Sequence, residues 1–220
     1  MFKSVKIHIT SLLLLFFILV SSSIINELIV SNFQLIPTGL FTQLCFILFS
    51  YLLIKFYNLE INYFLFIPNF FKVLSFIFIL ICFILFVLDI IIPNPHTGSI
   101  SNISTKELLT ILLINCFGEE FLFRGFLQNY YSEFKKYQFN LLKIKISYPV
   151  FISGLFFGFM HFAIMSTGVD FISALKIVIS ATFVGLISGY YYEKYNTLFA
   201  PIIIHFICNL SSILYSFLTG

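Results

Sequence analysis

The sequence predicts an all-α fold, a polytopic membrane bundle of about seven transmembrane helices. Two compositional observations and one of length predict it. Of 220 residues, 60% are apolar and 10% charged, and mean hydropathy is +1.06. A soluble domain carries about 25% charged residues. The apolar residues also gather in seven stretches, each close to the roughly 20 residues that a hydrocarbon core about 30 Å thick requires. The same numbers exclude a water-soluble globular domain and a disordered chain. A net charge of +3 is too small for a phosphate-tracking surface, so no nucleic-acid partner is expected. The partner expected is the lipid bilayer itself.

The first stretch, 7–26, follows Lys3 and Lys6 and leads into Ser21, Ser22 and Ser23. That pattern also describes a secretory signal peptide. The apolar run continues through Ile24 and Ile25 without a clear small-x-small site, which favours an uncleaved anchor. The second and third stretches are 36–54 and 71–92, the latter with Asp89 near its end. Pro93–Thr105 carries no charged residue, is rich in turn formers and is expected as an outer loop holding His96. The remaining stretches are 107–130, 147–166, 171–192 and 197–217. An eighth helix results if the Pro93–Thr105 region or the fourth span is broken. Residues 1–106 are thus N-terminal membrane helices, and 107–220 form a core that carries the unusual polar residues.

The lysines set the orientation. With the N-terminus in the cytoplasm, Lys3, Lys6, Lys55, Lys72, Lys135, Lys136, Lys143, Lys145 and Lys194 fall inside. Only Lys106 and Lys176 fall outside. This positive-inside bias predicts a multi-pass cell-membrane protein with its C-terminus outside. Lys176 is expected to snorkel. The cysteines at 45, 82, 116 and 208 lie in apolar stretches and are expected to be reduced packing residues.

Ionisable groups within a span are costly and mark function. Those singled out here are Glu119, Glu120 and Arg124 in span four, His161 in span five and His205 in span seven, with the uncharged polar Asn209 one turn beyond His205. Glu120 and Arg124 are four apart and share a helix face as an ion pair. Glu119 is turned about 100° away and is left to point elsewhere. Phe157 and His161 share a face, as do His205 and Asn209, and Pro201 is expected to kink the start of span seven. Threading places Glu119, His161 and His205 about 18, 21 and 12 Å along their helices from the cytoplasmic side. All three are expected to meet near one level. Gly118, Gly125, Gly154, Gly158 and the string GLISG at 185–189 are expected to be helix-packing positions.

Each polar residue alone is compatible with a packing contact. Together, they suit hydrolysis by activated water. A buried carboxylate takes a proton from water, and a histidine with an asparagine one turn on donates to an oxyanion. Glu119, His161 and His205 equally form a two-His, one-Glu zinc set with an open position. Metal-activated and carboxylate-activated water both remain open. A proton relay in a small transporter is a further alternative, against which no inverted repeat is visible.

At these residues the sequence resembles the CPBP intramembrane proteases, a family that covers CAAX-processing proteases and bacteriocin-processing or self-immunity (Abi) proteins. The resemblance rests on EExxxR from Glu119 to Arg124, FxxxH from Phe157 to His161 and HxxxN from His205 to Asn209, in that order. It covers about residues 107–212; the first three spans match only in hydrophobicity. It implies an intramembrane (metallo)endopeptidase. Glu119 then activates water and His161 assists it or shares a divalent metal. His205 and Asn209 stabilise the oxyanion, while Glu120, Arg124 and Phe157 support the site. The implied substrate is a membrane-associated peptide or protein. The alternative within the same family is a non-catalytic bacteriocin self-immunity or membrane binding protein.

Overall fold

The structure is a computed structural model that describes residues 2–30, 39–62, 70–91, 108, 110–141 and 144–219. The expected outer loop with His96, the Asp89 side chain and Lys143 lie outside the described residues. Helix α1 runs Phe2–Val30, α2 Leu40–Phe56 and α3 Phe70–Ile91. Three consecutive segments form α4: Thr110–Asn115 and Phe121–Gln128 in wide π-helical turns, with Cys116–Glu120 α-helical between them. Backbone angles at Asn115, Glu120 and Phe121 stay right-handed helical, so the described part of span four is one unbroken helix, although not the ordinary α-helix expected.

A 3-10 turn at Ser132–Phe134 leads into an antiparallel hairpin of β1, Gln138–Leu141, and β2, Ile144–Ser147. The hydropathy pattern did not foresee it. Helix α5 spans Tyr148–Met160 and tightens into a 3-10 stretch, His161–Thr167. Helices α6, Phe171–Tyr195, and α7, Phe199–Thr219, complete the bundle.

Local chemistry sets several of these boundaries. Ser147 caps α5 by accepting from the Val150 N–H, and Pro149 stands in the first turn, where no hydrogen bond is lost. Asp170 caps α6 by accepting from the Ile172 and Ser173 N–H groups. Asn196, at φ 50°, turns the chain left-handed and ends that helix. Pro201 falls in the first turn of α7 and so removes no intrahelical bond; the expected kink has no basis there.

The packing is inverted relative to a soluble bundle. Leu13, Phe16 and Phe17 of α1, Leu52 of α2, and Ile79 and Phe83 of α3 face outward and are exposed. Ser11, Ser22, Ser50, Ser153 and Ser188 point inward and are buried. An apolar exterior over a partly polar interior fits a lipid surround. Lys6–Ile29, Tyr148–Ser166 and Phe171–Tyr195 are long and apolar enough to cross a membrane. Leu40–Phe56, Lys72–Leu88 and Phe199–Leu214 are apolar but shorter. The chain is a membrane protein of bundled apolar helices.

Helix α4 lies at the centre. From Leu122 to Gln128 every residue is buried, with α2, α5, α6 and α7 all touching it. Leu122, Phe123, Phe126 and Leu127 join Phe46 and Ile54 of α2, Leu15 and Ile18 of α1, and Phe157 of α5 in the main core. Helix α3 packs on α7 through Ile77, Ile81, Ile204 and Cys208.

Glycines bring α5 and α6 into close contact. A Cβ on Gly185 would lie 2.9 Å from the Gly154 Cα and carbonyl oxygen. A Cβ on Gly158 would collide with the Thr182 hydroxyl and lie 2.9 Å from the Val178 oxygen. Gly118 meets Gln43 of α2 in the same way, whereas Gly125 has no neighbour within 3.4 Å of a built Cβ except at that limit, Ile54. The packing expectation holds at 118, 154, 158 and 185. Lys176 departs from expectation, being buried in α6 rather than snorkelled.

Candidate active site

The buried ionisable groups meet where α4, α5, α6 and α7 converge. Glu120 and Arg124 form the expected i,i+4 pair, Oε2 to Nη1 3.0 Å, and both side chains are fully buried. The Arg124 Nη1 also donates to Glu120 Oε1 at 3.1 Å. Its Nη2 donates to the Gly185 carbonyl of α6 at 2.6 Å, and its guanidinium lies 4.8 Å from the centre of the Phe157 ring. A buried cation is thus matched by a carboxylate, a carbonyl dipole and an aromatic face. Phe157 also packs its ring against His205 at 5.3 Å and against His161 at 5.0 Å.

His205 stands between the two glutamates. Its Nδ1 is 3.0 Å from Glu120 Oε1, and its Nε2 is 3.9 Å from Glu119 Oε2. Glu120 accepts from Arg124 as a carboxylate, so the Nδ1 nitrogen is the one that donates to it. The second nitrogen, Nε2, is turned toward Glu119. An orienting carboxylate behind a histidine fixes both tautomer and ring direction.

Glu119 is buried, 7% exposed. Its Oε1 accepts from Nε2 of Gln43 at 3.3 Å, while its Oε2 is buried without a hydrogen-bond partner. Gln43 comes from α2, outside the three spans that carry the EExxxR, FxxxH and HxxxN motifs. It is buried, and its own Oε1 has no partner either. Sequence reasoning missed it, because an uncharged amide in an apolar stretch gives little signal.

The structure does not draw all the expected residues into one cluster. His161, half-buried at the end of α5, bonds through Nδ1 to the Phe157 carbonyl at 2.8 Å. A carbonyl only accepts, so Nδ1 carries the proton and Nε2 is the open nitrogen. His161 therefore reaches the network through the Phe157 ring. Asn209, one turn beyond His205, donates from Nδ2 to the Cys116 sulfur at 3.4 Å. The cysteines are all free, as expected.

Among the described residues, no three His, Cys, Asp or Glu side chains lie close enough together to hold a metal ion. Glu119 and His205 approach each other, but His161 does not complete a set with them. The donors in this arrangement do not fit the two-His, one-Glu zinc site.

The Glu119–Glu120–Arg124–His205 network has the makings of an acid–base site. It is enclosed by aromatic and aliphatic side chains, it holds one oriented histidine, and it keeps one carboxylate oxygen uncommitted. No curated protein and no solved structure matches the chain. A family profile described as type II CAAX prenyl endopeptidase Rce1-like matches residues 102–211. That is half of the chain, and it takes in the whole network, though not Gln43, which bonds to Glu119 from α2. The match agrees with the resemblance carried by the three motifs, since the Rce1-like proteins fall within the CPBP family. The chain therefore belongs to the Rce1-like family of type II CAAX prenyl endopeptidases, a family of membrane proteases.

Proposed function

We propose that the protein is an intramembrane endopeptidase that cleaves a membrane-associated peptide or protein with water activated by Glu119 and His205. The observation that carries this reading is the pair Glu119 Oε2 and His205 Nε2. They are 3.9 Å apart, and the carboxylate oxygen has no protein partner. Direct hydrogen bonds are shorter than this. A water held about 2.8 Å from each atom would subtend an angle near 90°, which is within its range.

In this mechanism Glu119 takes a proton from the water and the hydroxide oxygen adds to the scissile carbonyl carbon. Glu119 then returns the proton to the leaving amine as the C–N bond breaks. Gln43 holds the other carboxylate oxygen and so sets the direction in which Oε2 faces. Glu120 and Arg124 orient His205. Asn209 and His205 are assigned to the oxyanion; His205 can serve there only with a proton on Nε2 as well. His161 assists from beside Phe157. The bilayer arrangement that goes with this reading is seven spans with the N-terminus in the cytoplasm, as the lysine distribution favours.

The test is cleavage of a membrane-associated peptide library by the protein in proteoliposomes, read by mass spectrometry. Glu119→Gln is expected to lose about 10²–10⁴-fold in rate, and wild-type cleavage is expected to survive chelators. Undiminished cleavage by Glu119→Gln would remove Glu119 from the mechanism. Loss of activity on chelation, restored by zinc, would reinstate the metal route. If neither protein cleaves and Glu119→Ala still protects cells against a bacteriocin, the non-catalytic immunity reading stands instead.

A further inference from the structure

The hairpin between α4 and α5 is amphipathic by register. Phe139 pairs with Ile146, and Leu141 with Ile144. Side chains alternate along each strand, so Phe139, Ile144 and Ile146 share one face. Gln138 pairs with Ser147 and Asn140 with Lys145, which makes the opposite face wholly polar.

The two ends of the apolar face differ in burial. At its base, Ile146 is buried, and Phe139 packs edge-on against Phe151 of α5 at 5.1 Å. At the tip Ile144 is 47% exposed, and even at the base Phe139 keeps 38% of its surface exposed and Tyr137 at the entry 56%. A two-stranded hairpin facing only water gains nothing from such a row of apolar residues.

Charge around the hairpin is mostly of one sign. Lys135, Lys136 and Lys145 are exposed, against Glu133 of the same turn. Ser147, at the end of β2, donates to Glu193 near the end of α6 at 2.7 Å. The hairpin thus sits at the same level as Lys194, whose ammonium lies 5.4 to 5.9 Å from the rings of Tyr190, Tyr191 and Tyr195. Tyrosines clustered with lysine at the ends of apolar helices mark a membrane–water interface.

We propose that the hairpin is a binding element for anionic phospholipid headgroups. Its apolar edge, Phe139 and Ile144, enters the boundary between headgroups and acyl chains. Lys135, Lys136 and Lys145 take the lipid phosphates. Apolar residues and lysines together bind an anionic interface more strongly than either alone. This anchors the connection between α4, which carries Glu119, and α5, which carries Phe157 and His161, at a fixed depth.

The chain contains no tryptophan, so Ile144→Trp introduces a sole indole reporter at an exposed position. The full-length variant is reconstituted in vesicles of phosphatidylcholine alone, or mixed with phosphatidylglycerol, each with a shallow brominated lipid as quencher. The expected result is blue-shifted emission whose quenching rises when phosphatidylglycerol is present. That rise is lost on adding Lys135→Gln, Lys136→Gln and Lys145→Gln, and at high salt. Emission typical of a hydrated indole, unquenched in both vesicles, overturns the proposal. Equal quenching in both vesicles also overturns it, since the lysines would then recognise nothing anionic. Phe139→Trp is a second reporter should Ile144→Trp fail to fold, with helical content checked by circular dichroism. No arm depends on proteolysis, so the outcome is independent of the proposed activity.

Discussion

Arg124→Met is the sharpest test of the buried network. Arg124 holds Glu120 at 3.0 Å, the Gly185 carbonyl at 2.6 Å and the Phe157 ring face at 4.8 Å. Methionine keeps much of the apolar stem but none of these polar contacts. Removing one partner of a buried pair leaves an uncompensated charge and costs about 3–5 kcal/mol. The Gly185 carbonyl keeps its place in the α6 ladder but loses the additional bond from Arg124, at about 0.5–1.5 kcal/mol. These losses overlap, and the thioether recovers some packing, so the expected destabilisation is about 4 kcal/mol. Glu120→Gln added to Arg124→Met removes the stranded charge while keeping an oxygen for His205. It is expected to recover about 2 kcal/mol, within the coupling range of contacting residues.

The assay is unfolding of the purified protein in sodium dodecyl sulfate titrations, followed by a thiol-reactive dye. Cys116 and Cys208 are buried and free, and they label only on opening. The reasoning fails if Arg124→Met lies within about 1 kcal/mol of wild type, the range of an exposed pair. It fails equally if the double variant is no more stable than Arg124→Met alone.

The other predictions address the site, the helix contacts and a cap. Gln43→Leu leaves Glu119 Oε1 without its donor and is expected to lower kcat about tenfold or more with little change in KM; an unchanged kcat would remove Gln43 from the site. Gly158→Ala drives a methyl into Thr182 and the Val178 carbonyl and is expected to cost about 1–3 kcal/mol. Gly125→Ala, which meets Ile54 at 3.4 Å, is expected to cost less in the same titration, and the reverse order would contradict the packing described. The hydrogen bonds that Asp170 makes with Ser173, and then with the Ile172 N–H, hold its carboxyl below the ordinary value. A lowered folded value means that the cap is in place above the ordinary carboxylate range and is lost only as pH falls on through the lowered value. Amide exchange at Ile172 and Ser173 is therefore expected to quicken in Asp170→Ala at neutral pH. Wild type approaches the variant only in strong acid, and equal rates at neutral pH would refute the cap.

The helices were legible because hydropathy is a local property. Each apolar stretch predicts its span from its own residues, and α2, α3, α6 and α7 begin and end within a few residues of expectation. The Glu120–Arg124 pair was legible for the same reason, since four residues of helix bring the two onto one face. The motifs carried His205 as well, though not its position between both carboxylates. The hairpin was not legible: its strands are only four residues long, and its alternation resembles the fringe of a membrane span.

By itself, then, the sequence determined the bilayer environment, the helical class, the residues suited to chemistry and the resemblance that the family profile bears out. Those depend on composition and on spacing along one helix. Only the tertiary structure decided which atoms face one another. It brought Gln43 of α2 onto Glu119, 76 positions away. It set His205 Nδ1 on Glu120, 85 positions away, and so turned Nε2 toward Glu119. It left His161 behind the Phe157 ring. Such relations depend on the rotation and closeness of helices distant in sequence, which glycine contacts such as Gly154 with Gly185 permit and which local pattern does not encode.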